Sequence, residues 1–244
     1  MNEIIVEAKG IKKTLGRGAG EVQALRGIDL SLRLGELTLL MGPSGSGKTT
    51  LLLILGCMLA PSSGTVTVCG TSTSDAGKEV LAKIRRDHIG FVFQSYHLFP
   101  TVTAAQNVQL ALDIRSEHGR RAAEKAREAL KMVGLEQKAD TLPGGLSGGE
   151  QQRVAIARAF VANPSVILAD EPTAALDGNN GRTIMRILAD TAHERQRAVL
   201  VVTHDPRVVP FADRIVEIDD GLLVDEKSGG PERLPMPKAA TFRP

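Results

Sequence analysis

Between the apolar run LTLLM at 37–41 and the helix-prone run LLLILGCMLA at 51–60 stand Gly42, Pro43, Ser44, Gly45, Ser46, Gly47, Lys48, Thr49 and Thr50. Few architectures accommodate that order. The loop fits G-x-x-x-x-G-K-[ST] in the strand, loop, helix context that this pattern requires. Its glycines let the backbone wrap around phosphate oxygens with N–H groups pointing inward, and the following helix start adds partial positive charge. Lys48 then bridges the β- and γ-phosphates of a nucleotide, and the Thr49 hydroxyl binds Mg²⁺.

Short β-branched runs alternate with helical patterns along the rest of the chain: IIVEA at 4–8, TVTVC at 65–69, IGFVF at 89–93, VILAD at 166–170, AVLVVT at 198–203 and RIVEI at 214–218. That alternation predicts an α/β fold. Runs 37–41, 166–170 and 198–203 are apolar throughout, as parallel strands covered on both faces are, whereas 4–8 and 65–69 alternate as in a half-exposed antiparallel sheet. Ala122, Ala126, Ala129, Leu130 and Val133 share one helical face, and Ile184, Ile187, Leu188 and Thr191 share another. Residues 104–133 therefore read as mostly helical. The expected organisation is one domain over 1–227, a mostly parallel sheet with an antiparallel β subdomain and a helical subdomain inserted at about 95–163. Asp220-Gly221 predicts a hairpin turn. The Pro/Gly-rich residues 228–244 are expected to form a mobile or surface-lying tail.

Composition removes several classes of function. Thirty Lys and Arg against 28 Asp and Glu leave a net charge of +2, too balanced for an electrostatic footprint on nucleic acid. With 3% aromatics, no Trp and Tyr96 as the single tyrosine, there is also no stacking platform for single strands. No nucleic-acid partner is expected. Cys57 and Cys69 match no metal or redox spacing and read as reduced core thiols. The longest apolar stretch, 51–60, falls short of the ~20 residues that cross a bilayer. The start MNEIIVEAKG lacks the basic and apolar regions of a secretory signal, so the expected location is the cytoplasm.

Two further segments carry chemistry. Asp170 and Glu171 end the run 166–170, and because successive strand residues point to opposite sides they predict different tasks. Asp170 suits a ligand of Mg²⁺ or its water, and Glu171 suits the group that polarises attacking water. Pro172 is expected to hold Glu171 in extended backbone. In Leu146-Ser147-Gly148-Gly149-Glu150-Gln151-Gln152-Arg153, Ser147 is a natural N-cap, and Gly148 and Gly149 present free N–H groups as a second anion site.

With these residues in place the chain, from about 4 to 227, resembles the ATP-binding subunit of ABC transporters. GPSGSGKTT looks like Walker A, Gln94 in FVFQ like the Q-loop glutamine, and LSGGEQQR like the family signature. VILADE looks like Walker B, AALD ending at Asp177 like the D-loop, and His204 in VVTHD like the switch histidine. All stand in the family's order. The resemblance implies an ATPase in which two copies pack head to tail, each ATP lying between Walker A of one and Ser147 and Gly149 of the other. It implies that Gln94 senses Mg²⁺ and the lytic water, that His204 holds the γ-phosphate, and that Asp177 communicates across the dimer. One departure stands out. Leu15 occupies the place where the family carries an aromatic residue against adenine, so base stacking is expected to be weaker.

GRGAGEV at 16–22, the stretch 51–64 and the stretch 85–108 resemble the branch of macrolide exporters, lipoprotein-releasing systems and the cell-division pair. That implies attachment to the inner face of the cell membrane through an integral membrane permease, with a periplasmic adaptor as a further candidate partner. Tyr96, Leu98, Phe99 and Asn107 would by resemblance receive the permease's cytoplasmic coupling helix, while Leu98 and Phe99 equally suit core packing. Three readings compete: an export or extraction ATPase, a mechanotransmission ATPase of the cell-division type, and a soluble ABC protein of DNA repair or translation. A single P-loop and the lack of a heptad run between Gly42 and Leu146 disfavour the third.

Overall fold

A computed structural model describes residues 3–229 other than Ala175. The chain opens with β1 (Ile4–Leu15) and β2 (Val22–Arg33), then β3 (Glu36–Met41), α1 (Lys48–Leu55), β4 (Ser63–Val68) and β5 (Thr71–Ser72). There follow α2 (Lys78–His88), β6 (Ile89–Val92), α3 (Ala104–Asp113), α4 (Arg120–Met132) and α5 (Gly148–Phe160). β7 (Val166–Asp170), α6 (Gly178–His193), β8 (Ala198–Thr203), β9 (Arg214–Asp219) and β10 (Leu222–Ser228) complete it. Residues 230–244, and with them nearly all of the expected tail, lie outside the described residues.

One sheet has the order β10-β9-β3-β8-β7-β6, parallel except for the edge strand β10; the other, β2-β1-β4-β5, is antiparallel. The period of two explains why the central strands are apolar throughout. Leu37, Leu39, Ile167, Ala169, Val199 and Val201 face a core shared with α3 to α6. Leu40, Val166, Leu168, Leu200 and Val202 face a second core shared with α1 and the antiparallel sheet. Covered on both faces, these strands leave a polar side chain in contact with water only at their ends, as at Asp170 of β7.

The antiparallel sheet expected to hold 4–8 and 65–69 is present, and in it the two runs are direct neighbours: Val6 pairs with Val68 and Ala8 with Val66. β1, however, continues to Leu15 across a register irregularity between Ala8 and Ile11 where Gly10 takes φ 59. β2, its partner, was not anticipated from the sequence, nor was α2. The helical run expected over 51–60 stops at Leu55, because Gly56 caps it and Cys57 turns left-handed at φ 56. In α4 the buried stripe is Ala122, Ala126, Ala129 and Leu130, the predicted face. At the Asp220-Gly221 turn, Asp219 pairs with Leu222 and both turn residues have positive φ (44 and 74), which matches the right-handed twist of a two-residue hairpin.

Candidate nucleotide site

The phosphate loop leaves β3 at Met41 and enters α1 at Lys48, held from outside by close backbone packing. A Cβ on Gly42 would lie 2.0 Å from the Ile218 carbonyl oxygen, and one on Gly47, itself at φ 103, would lie 2.5 Å from that of Ala24. Only glycine fits at either position. The β9–β10 turn braces the loop as well, since the Gly221 N–H donates to the Ser46 carbonyl at 3.1 Å. The Ser46 hydroxyl is buried without a partner. Lys48, also buried, donates to the carbonyls of Gly42 (2.8 Å) and Pro43 (2.7 Å). Burial pulls the Lys48 ammonium below its ordinary pKa, and the charges of Glu171 and Asp170 work against that shift.

Beside it the Thr49 hydroxyl donates to Asp170 Oδ1 at 3.2 Å, which ties the first turn of α1 to the end of β7. Burial raises the Asp170 pKa; the Thr49 hydrogen bond and Lys48 lower it, and the Glu171 charge adds to the rise. Glu171 corrects one expectation. Its backbone is not extended but left-handed, at φ 45, with its N–H donating to the Val202 carbonyl at 2.9 Å and its own carbonyl accepting from Ala174 N–H at 3.2 Å. The strand has ended, and the turn that starts there overrides the extended preference of a residue before proline. The turn aims Glu171 at His204, just past β8, with Oε1 2.7 Å from Nδ1. Oε2 is buried and unpartnered.

Leu15, Ser44, Gly45, Gly47, Lys48, Thr49, Thr50, Gln94, Glu171 and His204 line one cleft of about 500 Å³. Gly42 and Pro43 border an adjoining hollow, which His204 also reaches. Val22, Gln23, Arg26 and Asp220 join the cleft as well, with Arg26 and Asp220 paired at 2.7 Å. Sequence reasoning missed these because they belong to β2 and to the far hairpin. Ser147, Gly148, Gly149 and Asp177 do not line it. Ser147 caps α5 in a reciprocal box: its hydroxyl accepts from Glu150 N–H at 3.3 Å, and Glu150 accepts from Ser147 N–H at 2.8 Å. The Ser147 backbone N–H holds the Glu150 carboxyl below its usual range. Asp177 likewise caps α6, accepting from Asn180 N–H at 2.9 Å.

Mg²⁺ suits hard oxygen donors and takes few from protein when phosphates supply the rest. Thr49 Oγ1 and Asp170 Oδ1 are such donors, Glu171 Oε2 lies buried without a partner, and the Gln94 amide is exposed at the same cleft. No cluster of three or more His, Cys, Asp or Glu side chains able to hold a metal occurs among the described residues. The donor set therefore fits Mg²⁺ held jointly with phosphate oxygens.

The surface proposed for a partner's coupling helix separates into three kinds of residue. Phe99 is 56% exposed, whereas Leu98 packs against the core beneath the helices. Asn107 corrects the expectation outright: it is fully buried, accepting from Phe99 N–H (2.7 Å) and donating to the carbonyls of Phe99 (3.1 Å), Val102 (3.1 Å) and Thr103 (3.0 Å). It shapes the loop rather than meeting a partner.

Residues 25–174 match the family profile described as ABC transporter. The chain is 45% identical over 227 residues to the ABC transporter ATP-binding protein MJ0796 of Methanocaldococcus jannaschii, covering 91% of this chain and 97% of that one. It is 43% identical over 220 residues to the macrolide export ATP-binding/permease protein MacB of Escherichia coli K12, covering 90% of this chain but about a third (34%) of that protein. A solved dimeric structure of the MJ0796 cassette in a post-hydrolysis state, bound to ADP and Pi, superposes with a TM-score of 0.86 at 43% identity, covering 92% and 98% of the two chains. With the matched span, the fold and the phosphate cleft in agreement, this chain belongs to the ABC transporter family, as an ATP-hydrolysing cassette of the ABC ATPase fold.

Proposed function

We propose that this cassette is the ATPase subunit of an export or extraction complex, in which two copies close head to tail around two ATP molecules and move a membrane permease. One observation carries the reading. The Glu171–His204 pair faces the phosphate cradle, while the capped start of α5 lies outside its own chain's cleft, free to complete a second copy's site. The dimeric MJ0796 cassette and the export function in MacB's name support it. The permease would place the chain at the inner membrane face, with a periplasmic adaptor as a further partner.

In the mechanism, the loop N–H groups and Lys48 hold the β- and γ-phosphates of ATP. Thr49, Asp170 and Gln94 would hold Mg²⁺, which when bound neutralises charge on those phosphates. Glu171 orients the attacking water and accepts its proton at the carboxylate, while His204 Nδ1 fixes the other carboxylate oxygen. Phosphate departs and ADP remains. Because ATP favours the closed pair over the open one, its loss on hydrolysis releases closure and drives the permease.

Glu171→Gln tests this. The variant is expected to bind ATP with unchanged affinity, lose turnover by about 10²–10⁴-fold, and elute as a dimer in ATP but a monomer without it. Turnover at the wild-type rate would remove Glu171 from its assigned role.

A further inference from the structure

Ser147 and Gly149 at the start of α5, and Asp177 before α6, are the proposed surfaces that one copy offers to another. Asn180 lies between them. A Cβ built on Gly149 would stand 3.0 Å from Asn180 Cγ, so the carboxamide lies directly against the first turn of α5. Asn180 Oδ1 accepts from Arg153 Nη1 at 3.3 Å, one turn along the same helix face. Its Nδ2 donates to Asp177 Oδ2 at 3.0 Å, while its backbone N–H donates to Asp177 Oδ1 at 2.9 Å. Among the described residues the Asn180 contact is the Arg153 side chain's one hydrogen bond, and Arg153 Nε is buried without a partner. From Asp177 the chain runs back to Glu171 through two turns, Leu176 N–H to Thr173 carbonyl (3.1 Å) and Ala174 N–H to Glu171 carbonyl (3.2 Å).

We propose that Asn180 is a positioning residue: it locks the start of α5 to Asp177, so that within one copy the surface that closes on the neighbour and the loop that carries Glu171 move as one piece. The inference rests on the head-to-tail reading above. A link of this kind transmits the state of one nucleotide site to the other. Closure of α5 on the neighbour's ATP reaches Asp177 through one carboxamide and Glu171 through two hydrogen-bonded turns. Without Asn180, each copy would close its two halves separately, and the two sites would lose their coupling.

The test compares Glu171→Gln alone with the same chain carrying Asn180→Ala or, separately, Arg153→Met. Asn180→Ala keeps the backbone N–H that Asp177 caps, and Arg153→Met leaves the whole Asn180–Asp177 contact in place. Light scattering against chain concentration in MgATP should show each added substitution raising the half-dimerisation concentration about tenfold, the effect of losing one or two hydrogen bonds. Melting temperature should fall by only a few degrees, the cost of the same hydrogen bonds within one chain, and the ATP affinity of the monomer should stay unchanged. In the chain with Glu171 restored, either substitution should bring the Hill coefficient for ATP turnover down to one, a change that a purely structural role would not make. If Glu171→Gln dimerises and the doubly substituted chains do so at the same concentration, the role assigned to Asn180 is wrong and the head-to-tail reading stands. If Glu171→Gln itself stays monomeric in MgATP, both are wrong.

Discussion

Asp170 and Glu171 are neighbours in sequence with different surroundings. Asp170 ends β7 against Thr49, and Glu171 turns left-handed toward His204. Burial raises the Asp170 pKa, so folding strengthens its hold on a proton. That raised value adds stability below the unfolded pKa and takes it away as pH rises through the folded one. Above both values the carboxylate is ionised in both states, and the burial cost remains. Asp170→Asn keeps an acceptor for the Thr49 hydroxyl and removes the charge. Its nucleotide-free melting temperature at pH 7 should rise, by a few degrees at most because Asp170 keeps part of its solvent contact. The gain should vanish in scans at acid pH, where the native carboxyl is already protonated. The same variant should lose Mg²⁺-dependent ATP affinity. A melting temperature unchanged at pH 7 would mean that burial does not strain this carboxylate.

Elements with an unbroken period were legible in the sequence. β7 and β8 read as buried parallel strands because every position faces one of two cores, and α4 read as a helix because its alanines repeat on one face. β2 was not, although Ile28, Leu30 and Leu32 alternate into the core; Arg26 and Gly27, at φ 122, offset that alternation from Leu25. With β2 went Val22 and Arg26 of the cleft. The phosphate loop was legible residue by residue because its chemistry is local, whereas the Glu171 backbone depended on a hydrogen bond to Val202, distant in sequence. Asn107 shows the same limit. Its amide fixes the turn from Phe99 to Thr103, and nothing short-range marks it as buried. Asn107→Ala should lower stability by about 1–3 kcal/mol, since it removes the partner of the part-buried Phe99 N–H and of the Phe99 and Val102 carbonyls. Urea unfolding measures this, and ATP affinity at the remote cleft should hold.

On the scale of the whole molecule, the helices α2, α3 and α5 and the edge of the parallel sheet meet at a groove of about 290 Å³, whose lining includes Phe91, Phe99, Leu110, Ile114 and Arg115. Its walls are stapled by guanidinium groups that bond backbone carbonyls. Arg115 donates to Arg86 (2.6 Å), Asp87 (2.9 Å) and Ala162, and Arg158 to Tyr96 (2.7 Å) and His97 (2.6 Å). Movement of α5 therefore reaches the loop after Gln94 through Arg158, so a permease seated here would feel closure of the cassette. Phe99 and Ile114, both more than half exposed on a stapled frame, are apolar contacts open to a partner. Affinity purification of the Glu171→Gln chain from its native membranes in MgATP should bring down a protein with apolar spans of ~20 residues, identified by mass spectrometry. Phe99→Asp should abolish that recovery while leaving melting temperature and ATP affinity unchanged. Recovery of a soluble dimer alone, with no membrane protein, would favour the soluble ABC reading over export. Recovery undiminished by Phe99→Asp would move the permease contact away from this groove.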